Sequence, residues 1–111
     1  MPNFFDPFSG KTPDKKLTND ELIRAIRLDI AGEHEAIHGY TAHADATNNQ
    51  FAKKIFLSIA NEEKAHVGEL TRLLDIVSGD ECKYQGKGAR EVNEKLPKAT
   101  NIKKKVAKNK K

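Results

Sequence analysis

Two long stretches of the chain place apolar residues three and four apart. The first stripe reads Ile23, Ile26, Ile30, Glu33, Ile37, Tyr40 and Ala44. The second reads Ala52, Ile55, Ile59, Glu63, His66, Leu70, Leu73 and Val77. This alternation is the signature of a helix that buries one face. Helix-end chemistry brackets both stretches. Thr18-Asn19-Asp20-Glu21 matches a capping box, in which a hydroxyl and a carboxylate three residues later serve the unpaired amides of a first turn. From there to about Ala46 only Gly32 and Gly39 oppose a helix, each at a cost of roughly 1 kcal/mol. Thr47-Asn48-Asn49 carries turn and N-cap residues. A second helix is predicted from about Gln50 to Ser78, and Gly79 stands where a left-handed C-terminal glycine belongs. At 1.5 Å per residue each helix is about 40–45 Å long. The short connection makes them an antiparallel hairpin. Seven glycines, mostly outside the stripes, and few β-branched runs argue against strands. The predicted fold class is all-α, with the hairpin over residues 17–80.

The flanks read differently. Residues 1–16 hold three of the four prolines and predict an irregular arm. Residues 81–97 predict a loop, from Cys82 to Gly88, with a short helix at 89–95 before Pro97. Residues 98–111 are Lys-rich with almost nothing apolar, which predicts a disordered tail. Charge divides the same way. Residues 1–82 hold 9 basic and 14 acidic side chains, a net −5, whereas residues 83–111 hold 11 and 2, a net +9. The sequence pI near 9.2 therefore belongs to the tail, and basicity of the whole does not point to nucleic acid as a partner. The chain has 111 residues, 37 % of them apolar and 32 % charged, with a mean hydropathy of −0.72. That is lean for one self-sufficient domain and suggests a core that awaits a partner. No window approaches the roughly 20 apolar residues of a membrane span. The first residues lack the basic and apolar regions of a secretory signal. The single cysteine, Cys82, excludes an intrachain disulfide framework and fits a reducing cytosol.

Three ionisable residues interrupt the stripes. Glu33 stands in the first, and Glu63 and His66 stand in the second at i, i+3 on one face. Glu33 lies about 15 residues before the turn and Glu63 about 15 after it. They therefore reach the same level of the hairpin. The stripe phase, set by apolar neighbours on each helix, excludes a surface reading. Carboxylates in an apolar seam are costly unless something neutralises them. A Glu–His ion pair that fixes register is the plain alternative. A metal site is the functional one, since carboxylate oxygen and imidazole suit transition metals.

A two-helix hairpin leaves an apolar face open. A two-fold partner would complete a four-helix bundle. The pair of chains would then offer four carboxylates and two imidazoles. Ferritin-like di-iron bundles use a Glu from each of two helices and a Glu-x-x-His from each of the other two. Glu63-Lys64-Ala65-His66 is such a Glu-x-x-His. By itself that spacing is common in helices; an in-register Glu33 makes it specific.

The stretches Glu33-His34-Glu35-Ala36-Ile37-His38-Gly39-Tyr40, Ala44-Asp45-Ala46-Thr47 and Ile59-Ala60-Asn61-Glu62-Glu63-Lys64-Ala65-His66-Val67-Gly68-Glu69-Leu70 resemble the encapsulated ferritins, half-length ferritin-like proteins housed in encapsulin shells. The resemblance covers roughly residues 17–80. It implies a ferroxidase whose di-iron centre forms across a dimer interface, with dimers assembling into a ring-shaped decamer. It also implies a place in the cytoplasm, inside an encapsulin nanocompartment. Glu33, Glu63 and His66 match the family's iron ligands, Tyr40 its site-flanking tyrosine, and Glu35 an acidic residue of an outer metal-uptake position. Gly32 and Gly39 depart from the acidic and bulky residues expected near that position. Ile102-Lys103-Lys104-Lys105-Val106 departs from the family's C-terminal shell-targeting motif.

His34 and His38 are i, i+4 but project away from Glu33, so they read as surface, as does His43. Glu62 points about 100° from Glu63 and reads as solvated. Glu69 reads either as a neighbour of the site or as a surface residue. Two rival functions predict different observations. A basic-tailed helical module binding nucleic acid or protein needs no metal. A di-iron peroxidase resembling the rubrerythrins is disfavoured by the missing rubredoxin-type cysteine pairs. Deleting residues 98–111 is expected to leave helix content, dimerisation and iron oxidation intact. Any binding of the tail to an acidic partner should weaken steeply with salt, because exposed charges are screened within about 8–10 Å. Iron-oxidation assays and co-purification of the truncated and full-length proteins check this.

Overall fold

The computed structural model describes residue 7 and residues 11–97. Within these residues the elements are α1 (Asn19–Ala46), α2 (Gln50–Ser78) and α3 (Glu81–Glu94). The chain divides into two compact units, one ending at Gly79 and the other beginning at Asp80. Most of the predicted arm and all of residues 98–111 lie outside the described residues.

The first unit is the α1–α2 hairpin. Its ends form where the cap residues stand. The Thr18 hydroxyl accepts from the Glu21 amide at 3.2 Å, and the Glu21 carboxylate accepts from the Thr18 amide at 2.8 Å. The hydrogen bonds that the carboxylate receives from Thr18, first from its backbone amide and then from its side chain, favour the charged form, so the Glu21 pKa falls below its ordinary 4.5. Between the helices, the Thr47 hydroxyl accepts from the Asn49 amide at 3.1 Å. The Asn49 side chain in turn accepts from the Ala52 amide at 3.0 Å and starts α2. Gly79 closes α2 at φ 84°, the left-handed region that costs a residue with a Cβ about 1–2 kcal/mol. Its amide donates to the Asp75 carbonyl at 2.8 Å.

The core between the helices is thin. Among the described residues the buried apolar side chains are Ile26, Ala44, Ala60 and Leu74. On α1 the predicted stripe is the buried one: Ile26 and Ala44 are buried, and Ile23, Ile30, Ile37 and Tyr40 are half-buried. On α2 the phase is rotated. Ala60 and Leu74, outside the predicted stripe, are each only 1 % exposed, whereas Ile55 and Leu73 from within it are 42 % and 43 % exposed. The apolar arc of α2 is wider than one seam. One edge of it meets α1, and the other edge, extended by Ile76, stays open.

The second unit corrects the predicted loop at 82–88. Residues 81–94 are one continuous helix through Gly86 and Gly88. Local pairs one turn apart offset part of the roughly 1 kcal/mol that each of the two glycines costs. The Gln85 amide donates to the Glu81 carboxylate at 3.3 Å, and Lys87 lies 3.8 Å from Glu91. Glu81 also sits in the first turn, where a carboxylate complements the helix dipole.

Thr18→Ala is expected to destabilise the hairpin by about 1 kcal/mol. Glu21→Gln should remove a pH dependence. Because folding lowers the Glu21 pKa, its stabilisation is present above about 4.5 and is lost as the pH falls through the lowered value. Denaturant melts of both variants at neutral and acidic pH measure the two effects.

Candidate metal centre

The level alignment expected from the turn is present. Glu33 on α1 and Glu63 and His66 on α2 bring one ligand atom each within 4.8 Å of one another. The His66 Nδ1 stands 3.4 Å from the Glu63 Oε2 and 3.6 Å from the Glu33 Oε2. Both separations are long for a hydrogen bond. They match the roughly 3–4 Å between two ligand atoms that share one metal ion at bonds near 2.1 Å.

Burial is graded across the cluster. The Glu63 and Glu33 side chains are 18 % and 26 % exposed, and His66 is 50 % exposed. The Glu33 Oε2 itself is buried and accepts no hydrogen bond. A buried carboxylate oxygen with no hydrogen-bond donor, and only the His66 nitrogen at 3.6 Å, costs the desolvation of a charge. A cation removes that cost. The donor set of two carboxylates and one imidazole fits iron or another first-row metal. Among the described residues one chain nevertheless supplies three such ligand groups, half the inventory of a carboxylate-bridged pair of ions.

An open pocket of about 370 Å³ adjoins the cluster on its carboxylate side. Glu33 and Glu63 line it together with Asp29, Gly32 and Ala36, and His66 does not. Asp29 is a residue that sequence reasoning passed over. Its signal was its place one turn before Glu33, on the flank of the stripe.

The other sequence candidates are placed as follows. Tyr40 is half-buried two turns beyond Glu33 and stacks on Phe56, with ring centroids 6.3 Å apart and an angle of 26°. The His43 ring lies 5.7 Å from that same Phe56, so it has a partner the sequence did not suggest. Glu35 is half-buried but neither joins the cluster nor lines the pocket. His34, His38, Glu62 and Glu69 are exposed, as their phases predict for the first three.

A family model described as Rubrerythrin matches residues 11–110. The crystal structure of the encapsulated ferritin domain from Pyrococcus furiosus superposes with a TM-score of 0.72 at 37 % identity, over 76 % of this chain and 86 % of that one. The chain belongs to the rubrerythrin family, among its encapsulated ferritins. The encapsulin nanocompartment cargo protein EncC of Myxococcus xanthus is 42 % identical over 69 residues, 62 % of this chain and 52 % of that protein. The ferritin-like–encapsulin shell fusion protein of Pyrococcus furiosus is 44 % identical over 61 residues, 55 % of this chain but 18 % of the fusion. This encapsulated ferritin thus spans about half, or less, of the curated relatives it matches. No helix among its described residues is long and apolar enough to cross a membrane.

Glu33→Met should stabilise the metal-free encapsulated ferritin by about 1 kcal/mol or more, because it removes a buried acceptor with no donor. The same substitution should abolish the rise in Tm that Co(II) gives the native protein. Thermal melts with and without the metal read both effects.

Proposed function

We propose that this encapsulated ferritin is a ferroxidase, oxidising Fe(II) to Fe(III) with dioxygen at a di-iron site shared by two copies of the chain. The observation that carries the reading is the half-complete cluster: two carboxylates and an imidazole converge, one carboxylate oxygen is buried without a donor, and His66 stays half exposed. A second copy related by a two-fold axis supplies the same three groups again. Its helices also cover the open apolar edge of α2, where Ile55, Leu73 and Ile76 stand. Metal binding and association are then coupled, since each supplies what the other lacks.

Each residue has a distinct task. Glu33 holds one Fe(II) as a terminal or chelating ligand. Glu63 from each copy bridges the two ions. His66 completes each ion with a neutral nitrogen. Fe(II) is the substrate: each ion gives one electron to dioxygen, and hard carboxylate oxygens favour the Fe(III) that results. Tyr40, on the same face two turns away, is a flanking hydroxyl that orients a ligand. Glu35 is the outer carboxylate that the family resemblance assigns to metal uptake.

A four-helix dimer encloses no space for a mineral, so stored iron must collect elsewhere. The relatives named as encapsulin cargo and as a shell fusion support an encapsulin shell in the cytoplasm as that place. A ring-shaped decamer assembled from such dimers is the assembly the resemblance implies. The family model and the cluster together favour this reading over a basic-tailed binding module.

Glu33→Ala, Glu63→Ala and His66→Ala should each lose most iron oxidation while keeping the helical circular dichroism. Anaerobic Fe(II) titration of the native protein should saturate at one ion per chain, and mass measurement should show association on loading. Near-normal oxidation by Glu63→Ala would overturn the assignment, because Glu63 is the carboxylate assigned to both ions.

A further inference from the structure

His34-Glu35-Ala36-Ile37-His38 places two imidazoles i, i+4 within α1. They are about 6 Å of helix rise apart, and about 400° of rotation brings both to one flank. Two histidines at that spacing on a helix, with a glutamate after the first, form the zinc-binding pattern of metal-dependent hydrolases. The helix is unbroken from Asn19 to Ala46, so the spacing is kept in space. Both histidines are exposed. Among the described residues neither ring is held by a hydrogen bond or an ion pair. No residue one turn from either histidine is basic. The Thr41 hydroxyl does not compete for them, since it donates to the Ile37 and His38 carbonyls at 2.9 and 3.0 Å. Ala31 and Ala42, one turn to either side of the pair, leave the space around it open.

This flank is not the one that faces a second copy. Gly32 and His34 stand about 100° to either side of Glu33. The pocket beside the cluster opens on the Gly32 side, where Leu28 and Ala36 also stand, and reaches Leu70 on α2. Measured from the buried Ala60, the exposed Ile55 and Leu73 lie about 60° beyond Leu70 on that same side. His34 and His38 lie about 100° and 140° from Glu33 in the opposite sense.

We propose that His34 and His38 form a second metal site, separate from the Glu33–Glu63–His66 cluster, which chelates Zn(II) on the outer flank of α1. The two imidazoles are its protein ligands, and water completes the shell. Imidazole donors suit zinc, and Zn(II) stands above Mn(II) and Fe(II) in the affinity order of divalent ions. Glu35, half-buried and i, i+3 from His38, adds negative charge beside the ion without being a ligand. The site lies within one chain and does not depend on the ferroxidase assignment.

The test is equilibrium dialysis of the untagged full-length protein against Zn(II), with the bound metal counted per chain. The native protein should hold one Zn(II) per chain more than His34→Ala or His38→Ala. Zn(II) that enters the cluster is common to all three, so the difference reports the pair. Alanine at these exposed helical positions favours the helix, and circular dichroism should be unchanged. Combining His38→Ala with Ala42→His keeps two exposed imidazoles but sets them about 12 Å of rise apart, too far for one ion at bonds near 2.1 Å. That variant should count like His38→Ala. A large excess of Mn(II) should leave the additional Zn(II) in place, and Glu63→Ala should retain it. Equal counts in the native protein and either single histidine variant would overturn the proposal. So would a native count in the displaced variant, release by Mn(II), or loss of all Zn(II) in Glu63→Ala, which would put every ion at the cluster.

Discussion

One buried oxygen organises the molecule. The Glu33 Oε2 sits in the seam of the hairpin with no donor aimed at it. The His66 Nδ1 stands 3.6 Å from it, and the Glu63 carboxylate stands 3.4 Å from that same nitrogen. A fold selected for stability alone would place leucine there, as it does at Leu74 further along the seam. On the proposed reading, a cation offsets the desolvation cost of the charge. The rest of the hairpin holds the two carboxylates and the imidazole in that arrangement, with capped helices and a three-residue turn.

The second constraint is the scarcity of core. Four small or medium apolar side chains are buried among the described residues. A hairpin with so little interior lies near the limit at which a fold sustains itself. On the two-copy reading proposed above, its exposed apolar edge on α2 and its half-set of ligands have one cause: the unit of folding and the unit of chemistry are both larger than the chain. That explains why His66 is half exposed in the single chain while its carboxylate partners are not.

Most of this was legible from residue spacing. The caps at Thr18 and Asn49, the left-handed Gly79 and the length of both arms all depend on local rules, and the structure follows them. The convergence of Glu33 with Glu63 and His66 followed from counting residues outward from the turn. The seam of α2 was less legible. Its apolar arc is broad enough to serve two faces, and the stripe read from the sequence lay between them. Ala60 is too small to stand out as a core position, although close helix packing favours it. The α3 helix was hidden because Gly86 and Gly88 weigh heavily in a local reading, while pairs such as Lys87 with Glu91 weigh little singly.

The turn at residues 47–49 also sets how the chain can change in length. Glu33 and Glu63 meet because equal counts of residues separate each from the turn. Adding one residue to either arm would rotate the ligand by about 100° and slide it by about 1.5 Å, which takes it out of the cluster. Adding one to the turn leaves both arms in phase and costs only a little loop entropy. Between the two carboxylates, insertions and deletions are therefore confined to three positions. The thirty-residue spacing from Glu33 to Glu63 behaves as a ruler, with its only adjustable joint at the turn.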